Sequence, residues 1–233
     1  DKAGMNIAEH LDGLGIDYVV VEEQTIYEDG IDEKEELKDC DFVIFATKHE
    51  AEKETKTFSV HAPGNWRGAD FGGVDGKVCL TSASFIKIIF NELNENLPDD
   101  WKVTLECTHH GPLIEKPCCF IEIGSTEKQW SDEMAGKAIA ISLNASMILF
   151  EDLIENNLGF ESVLCIGGPH YCPNFNKIQL NSGYAVGHVI GQYNFPVTRE
   201  IIEEGLKKTR EDVKKVIIDW KGCGKSEERQ ELI

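Results

Sequence analysis

Apolar residues recur at helical spacing from Met5 to Leu14, and Gly15 closes the run. The β-branched stretch Asp17-Tyr18-Val19-Val20-Val21 reads as a strand, followed by a helix and then a buried strand over Phe42 to Thr47. Phe58-Ser59-Val60 and Val78-Cys79-Leu80 are short strand-like runs, and Ser84 to Leu97 is helical. Lys102 to Cys107 and Cys118 to Ile123 are the next strands. Ser131, with Asp132 and Glu133, starts a long helix that runs toward Asn157 and ends at Gly159. Ser162 to Ile166 and Tyr184 to Ile190 read as strands, Thr198 caps a helix to about Lys208, and Lys215 to Trp220 is the last strand. Strands alternating with helices predict an α/β fold: three α/β/α layers around a mainly parallel, mixed sheet.

The chain has 233 residues, 41% of them hydrophobic, which suits one substantial core. Prolines are scattered, and there is no repeat, low-complexity tract or linker, so residues 1–233 are expected to form a single domain. The most apolar stretches, Phe42 to Ala46 and Ile139 to Phe150, are too short or too interrupted to span a bilayer, so no membrane partner is expected. The chain opens on Asp1 rather than Met and lacks a basic-then-apolar leader, so a trimmed start is expected. Several of the eight cysteines, among them Cys79, Cys118, Cys119 and Cys165, lie in apolar runs. That placement points to reduced thiols and a cytoplasmic protein, with a monomer as the default. No Cys-x-x-Cys pair is present.

Net charge is -19, which argues against DNA and against tight duplex binding, because phosphate recognition needs a basic face. A local basic spot that grips only the end of an RNA remains compatible with that charge. The acidic runs Glu22 to Glu36 and Glu227 to Glu231 read as solvated surface.

The histidines change the picture. His61 follows Phe58-Ser59-Val60, His109 and His110 follow Lys102 to Cys107, and His170 follows Ser162 to Ile166 across a Gly167-Gly168-Pro169 turn. Three strands are therefore expected to deliver histidines at their carboxyl ends, with Glu122 near the end of a fourth, at the sheet edge where α/β folds bind ligands. Two chemistries compete for such a cluster. Neutral imidazoles with a carboxylate can hold zinc and acidify a bound water, or one histidine can act as general base while another polarises a carbonyl. Neighbours in an extended chain point to opposite sides, so one of His109 and His110 is expected in the pocket and the other in support. Gly72-Gly73 and Gly167-Gly168 fit no complete phosphate-binding motif and read as turns. His10 and His49 read as structural or solvent-facing, and His188 as either pocket-lining or buried.

Thr108-His109-His110-Gly111-Pro112, Phe120-Ile121-Glu122-Ile123-Gly124-Ser125, Gly167-Gly168-Pro169-His170-Tyr171 and Gly187-His188, in that order, resemble the archaeal and plant type of D-aminoacyl-tRNA deacylase. The similarity extends from Ala3-Gly4-Met5-Asn6-Ile7 to Trp220-Lys221-Gly222 and Lys225-Ser226-Glu227-Glu228-Arg229. It implies an α/β/α fold related to nucleoside phosphorylases and peptidyl-tRNA hydrolases, and a requirement for zinc. It also implies hydrolysis of the ester joining a D-amino acid to the terminal adenosine of tRNA, so the acceptor end of tRNA is the expected partner. Proteins of this kind begin with a strand ahead of the first helix, an element expected to be missing here. Within that frame His109, His170 and Glu122 are the expected metal ligands. His110, His61 and His170 are the expected catalytic groups, and Asn65, Trp66, Gly168, Tyr171 and His188 the expected substrate contacts, with Trp66 and Tyr171 stacking on the adenine. Where the family pattern has alanine, proline and a basic residue after the tyrosine, this chain has Cys172-Pro173-Asn174. Cys172 is thus a poor candidate for a ligand, and RNA grip is assigned instead to Lys177, Lys221, Lys225 and Arg229. The alternatives are a peptidyl-tRNA hydrolase, a nucleoside phosphorylase, or a non-catalytic module that binds metal or an RNA end.

Overall fold

The computed structural model describes residues 1–224, Ser226 and Arg229. The first half of the described chain carries three helices and four strands. They are α1 (Lys2–Asp12), β1 (Val43–Glu50), β2 (Thr57–His61), α2 (Ala83–Glu95), β3 (Lys102–Leu105), β4 (Cys118–Ser125) and the short α3 (Glu127–Trp130). Then come α4 (Glu133–Glu155), β5 (Glu161–Ile166), α5 (Pro173–Asn181), β6 (Tyr184–Ile190), α6 (Arg199–Lys207) and β7 (Lys215–Ile218). The helix starts are capped as their sequences suggest. Asp1 accepts from the Gly4 amide, Ser82 from Phe85, and Asp132 from Met134 and Ala135.

The fold is α/β with a mixed, mostly parallel sheet, in four-stranded (β1-β4-β2-β3) and three-stranded (β6-β5-β7) parts. Beyond β3 the backbone joins the two, as Cys107 N–H donates to His170 O at 2.9 Å and Thr108 N–H to Val189 O at 3.0 Å. One expectation needs correcting. β2 is parallel to β3 but antiparallel to β4, so β2 and β3 run against β1 and β4 and the site histidines do not share one common carboxyl edge.

β4 is buried on both faces. Cys119, Ile121 and Ile123 point into the core beneath α1, α2 and α4, while Cys118 and Phe120 join Val43 and Phe45 on the other face. This second face is covered not by a long helix but by 3-10 turns and loops that supply Ile31, Leu37, Cys79 and Ile114. The helix expected ahead of Phe42 is therefore three short 3-10 turns, at Thr25–Tyr27, Ile31–Glu33 and Glu35–Leu37. Their acidic sequence offers no continuous apolar stripe with which to dock a longer helix.

Two expected strands do not form. Tyr18 to Val21 pairs with no strand, and Val78 makes only an isolated bridge to Gly64. The former stretch borders a groove of about 320 Å³ between α1, residues 16–21 and β1. The groove's lining is largely apolar, and it lies apart from the histidines. The sequence reading also missed α5, where Pro173 at the first helical position starts a helix whose apolar pattern is weak. Among the described residues no helix is long and apolar enough to cross a membrane. All eight cysteines are free.

Candidate functional site

Alternation along the four-stranded sheet builds the site. On one face, Val43 and Phe45 of β1 are followed by Thr47 and His49, and Cys118 and Phe120 of β4 by Glu122. Ser59 and His61 of the antiparallel β2 lie opposite Glu122 and Phe120. A single face thus grades from hydrocarbon to carboxylate and imidazole within two residues. His61 stacks on Phe120 with ring centroids 5.2 Å apart and planes at 7°, which holds it flat against the sheet.

Residues beyond β3 complete the cluster. The buried Glu106 lies with Oε2 3.0 Å from His170 Nε2 and 3.6 Å from His109 Nε2, and with Oε1 3.2 Å from His49 Nδ1. Glu122 sits behind it, accepting from Thr47 (3.2 Å) and Ser59 (3.1 Å), with Oε2 3.6 Å from His49 Nδ1 and 3.8 Å from His61 Nε2. The rings of His109 lie 4.4 Å from His61, 4.3 Å from His110 and 4.6 Å from His170. His110 adopts a positive φ of 44°, which lets consecutive histidines both face the cluster instead of alternating as an extended chain requires. The expectation that only one of them enters the pocket is corrected accordingly.

Backbone carbonyls assign the tautomers of three histidines. Nδ1 of His61, His109 and His110 lies 3.2, 2.8 and 2.6 Å from Ala62 O, Cys107 O and Gly111 O. A carbonyl only accepts, so each Nδ1 carries the proton and each Nε2 presents a lone pair. His61 Nε2 and Glu106 Oε1 are buried without an aligned hydrogen-bond partner. Such orphaned atoms are rare unless something binds them. Among the described residues, three groups of ligand atoms lie close enough to share an ion: Glu106, His109 and His170; His61, His109 and His110; and His49, Glu106 and Glu122. The residues therefore fit a zinc ion, with carbonyl-anchored imidazoles as its ligands.

Burial and mutual charge set the protonation states. Burial, with His110 next, pushes His109 down to about 3, and burial with the charges of His109 and His110 pushes His61 well below its ordinary value. Burial alone would raise Glu106, but the hydrogen bond from His170 and the charges of His49, His61 and His109 outweigh it and hold the carboxyl below the usual carboxylate range. At His49 burial acts to lower the pKa, and the hydrogen bond it donates to Glu122 with the charges of Glu106 and Glu122 reverses it upward. Neutral imidazoles thus face an ionised carboxylate, a pattern typical of a reactive centre.

With this geometry in hand, comparison with known proteins settles the lineage. A profile of the D-aminoacyl-tRNA deacylases matches residues 36–233. The chain belongs to the D-aminoacyl-tRNA deacylase family. Among its relatives, the D-aminoacyl-tRNA deacylase of Pyrococcus abyssi is 34% identical, with 99% of this chain and 91% of that protein covered. The namesake of Thermococcus kodakarensis is 33% identical at the same coverage. A crystal structure described as that of a conserved protein of unknown function superposes with a TM-score of 0.87 at 29% identity, over 100% of this chain and 87% of that one.

In this deacylase-family enzyme the structure brings His61, His109, His110 and His170 together as expected, and it adds Glu106 and His49. Glu106, rather than Glu122, is the carboxylate grouped with His109 and His170. Its signal was its place at the end of the strand that leads to Thr108-His109-His110. His49 was legible from its period-2 relation to Val43 and Phe45, but its polar sequence neighbours suggested a surface position. Three expected substrate contacts are structural instead. Asn65 donates to Gly72 O at 2.8 Å. Trp66 is buried, donating to Val189 O, so it cannot stack on a base. Gly168, at φ 82°, lets the backbone pack against Gly222, where an added Cβ on Gly222 would lie 2.4 Å from Gly168 N. Tyr171 stands at the rim, its hydroxyl 2.9 Å from His49 Nε2. Asn174 donates to Asp219 at 2.8 Å and is committed there, Lys177 and Lys221 are exposed, and Arg229 lies over the Trp220 ring. Lys225 and most of the acidic run after it lie outside the described residues.

His188 is also structural. Its Nε2 lies 3.1 Å from Cys79 O and 3.0 Å from Lys208 O and so carries the proton, while Nδ1 accepts from Thr108 Oγ1 at 3.0 Å. Burial pushes its pKa down to about 4. A histidine held neutral by the fold stabilises it fully above the unfolded value of about 6.5, and that stability is lost as the pH falls from there toward about 4. The expected result for His188→Gln is a loss of about 2 kcal/mol at pH 7.5 that shrinks by more than half at pH 4.5. Urea unfolding at the two pH values checks it, and a loss independent of pH contradicts the buried neutral imidazole.

Proposed function

We propose that this pocket hydrolyses the ester bond of D-aminoacyl-tRNA, releasing the free D-amino acid and tRNA. The observation that carries this reading is the set of Nε2 lone pairs of His61, His109 and His110 converging beside the buried carboxylate of Glu106, in a chain that belongs to the deacylase family. His109, His170 and Glu106 would hold zinc, which, when bound, supplies Lewis acidity and an acidified water. Glu106 faces the ring of His170, and His110, half-buried at the mouth with Nδ1 held by Gly111 O, accepts the proton of the attacking water at Nε2. His49 faces Glu106 and Glu122 through Nδ1 and presents Nε2 to the Tyr171 hydroxyl at the rim, which positions that tyrosine beside the reacting ester. Tyr171 borders the position of the terminal nucleotide. The reaction belongs in the cytoplasm, where aminoacyl-tRNA is used, with a monomer as the working unit, a tRNA end as partner and no role for DNA.

The deciding experiment incubates the protein with D-tyrosyl-tRNA and L-tyrosyl-tRNA, each with and without chelator and then with added zinc, and follows free tyrosine. The expected result is loss of the D-ester alone, abolished by chelator and restored by zinc. D-specific loss that resists chelator removes the metal from the reading, and no loss of either ester removes the reading itself.

A further inference from the structure

Tyrosines usually bury the ring and keep the hydroxyl wet. Two exposed tyrosines at this site instead hold the hydroxyl against a histidine. Tyr193 is 53% exposed and Tyr171 42%, yet their hydroxyls point inward, 3.4 Å from His170 Nδ1 and 2.9 Å from His49 Nε2. Burial of the hydroxyl end raises the pKa of both phenols. Both rings border His170, with centroids 5.1 Å (Tyr171) and 6.3 Å (Tyr193) from its imidazole. Tyr193 rides on the 3-10 turn Gln192–Asn194 and folds back over Gly191, where an added Cβ would lie 2.9 Å from the ring and 2.6 Å from Cys107 Sγ. The ring position is thus built into the backbone, and Tyr193 stays exposed among the described residues.

We propose that Tyr193, together with Tyr171, is the platform on which the 3′-terminal adenine of the tRNA stacks, in place of the buried Trp66. The inference rests on the deacylase reading and deepens it. A hydroxyl tethered to a site histidine fixes the ring beside the reacting ester without side-chain freedom to lose. Its outward face offers the π-surface that a base accepts whatever its hydrogen-bonding pattern. The aromatic ring of a D-tyrosyl or D-phenylalanyl group has the same chemistry. The base is favoured because these rings stand at the solvent edge of the cluster, while the acyl carbon must reach the buried Nε2 atoms further in.

The test uses the full chain and the trinucleotide cytidylyl-cytidylyl-adenosine as probe, titrated by quenching of protein fluorescence, so that binding is read without turnover. Tyr193→Ala should weaken binding on the order of 10-fold, the usual worth of one stacked base, while Tyr193→Phe stays within about twofold of wild type. In deacylation assays Tyr193→Ala should raise KM equally for D-alanyl-tRNA and D-tyrosyl-tRNA, with kcat less affected. Unchanged trinucleotide affinity in Tyr193→Ala overturns the proposal, as does a Phe variant as weak as the Ala variant, which would place the role with the hydroxyl. A KM effect confined to D-tyrosyl-tRNA assigns the ring to the amino acid and also overturns it. Absence of D-ester hydrolysis in the wild type removes the deacylase reading while leaving the trinucleotide result to judge the platform.

Discussion

Glutamine in place of Glu106 lowers turnover of D-aminoacyl-tRNA by about 10²- to 10⁴-fold, the range for losing a charged partner that orients a reacting histidine or ligates a metal. The substitution conserves shape, so packing around the buried side chain survives. It removes the charge that faces His170 at 3.0 Å, His49 at 3.2 Å and His109 at 3.6 Å. One end of the new amide presents N–H groups to imidazoles that also donate. Stability changes in a defined direction too. A carboxyl held below its ordinary range stabilises the fold above the unfolded value of about 4.3 and loses that contribution as the pH falls through its folded value, so Glu106→Gln should be less stable at pH 7 and approach wild type in strong acid. Steady-state kinetics with zinc content and urea unfolding at both pH values check both parts. Activity within about threefold of wild type would mean that this carboxylate neither orients nor ligates.

His61→Phe is expected to separate activity from stability. Phenylalanine keeps the flat stack on Phe120 and removes the Nε2 that is buried without a partner. In metal-free protein the variant should be more stable by about 1 kcal/mol, since an unsatisfied buried polar atom is replaced by hydrocarbon. Turnover should fall by about 10²-fold or more, because a lone pair facing His109 and Glu122 is lost. Thermal unfolding in chelator and deacylation with zinc read the two effects. A variant that is both less stable and fully active would show that His61 is an ordinary core residue.

Much of the fold was legible because its signals are local. β6 forms over Tyr184–Ile190, where its apolar run reads as a buried strand, and α4 begins at the Asp132 cap. Misreadings occurred where formation depends on a distant partner. Tyr18 to Val21 has strand-forming residues but no neighbour to pair with, so propensity alone left it unpaired. α5 went unseen because the chain buries it through only a few residues, such as Phe175 and Gln179.

The sequence by itself determined the α/β alternation, the family resemblance, and the strand ends and loops that carry His61, His109, His110 and His170. Each of these is encoded by residues close together in the chain. Only the tertiary structure decided that β2 and β3 run against β4, that Glu106 and not Glu122 meets His109 and His170, and that His49 joins them. Only it showed Trp66 and His188 to be buried supports and Tyr193 to face solvent at the site. Strand direction and the choice of neighbour are set by packing between segments far apart in sequence, and a carboxylate or an aromatic ring carries no local mark of which partner it will face.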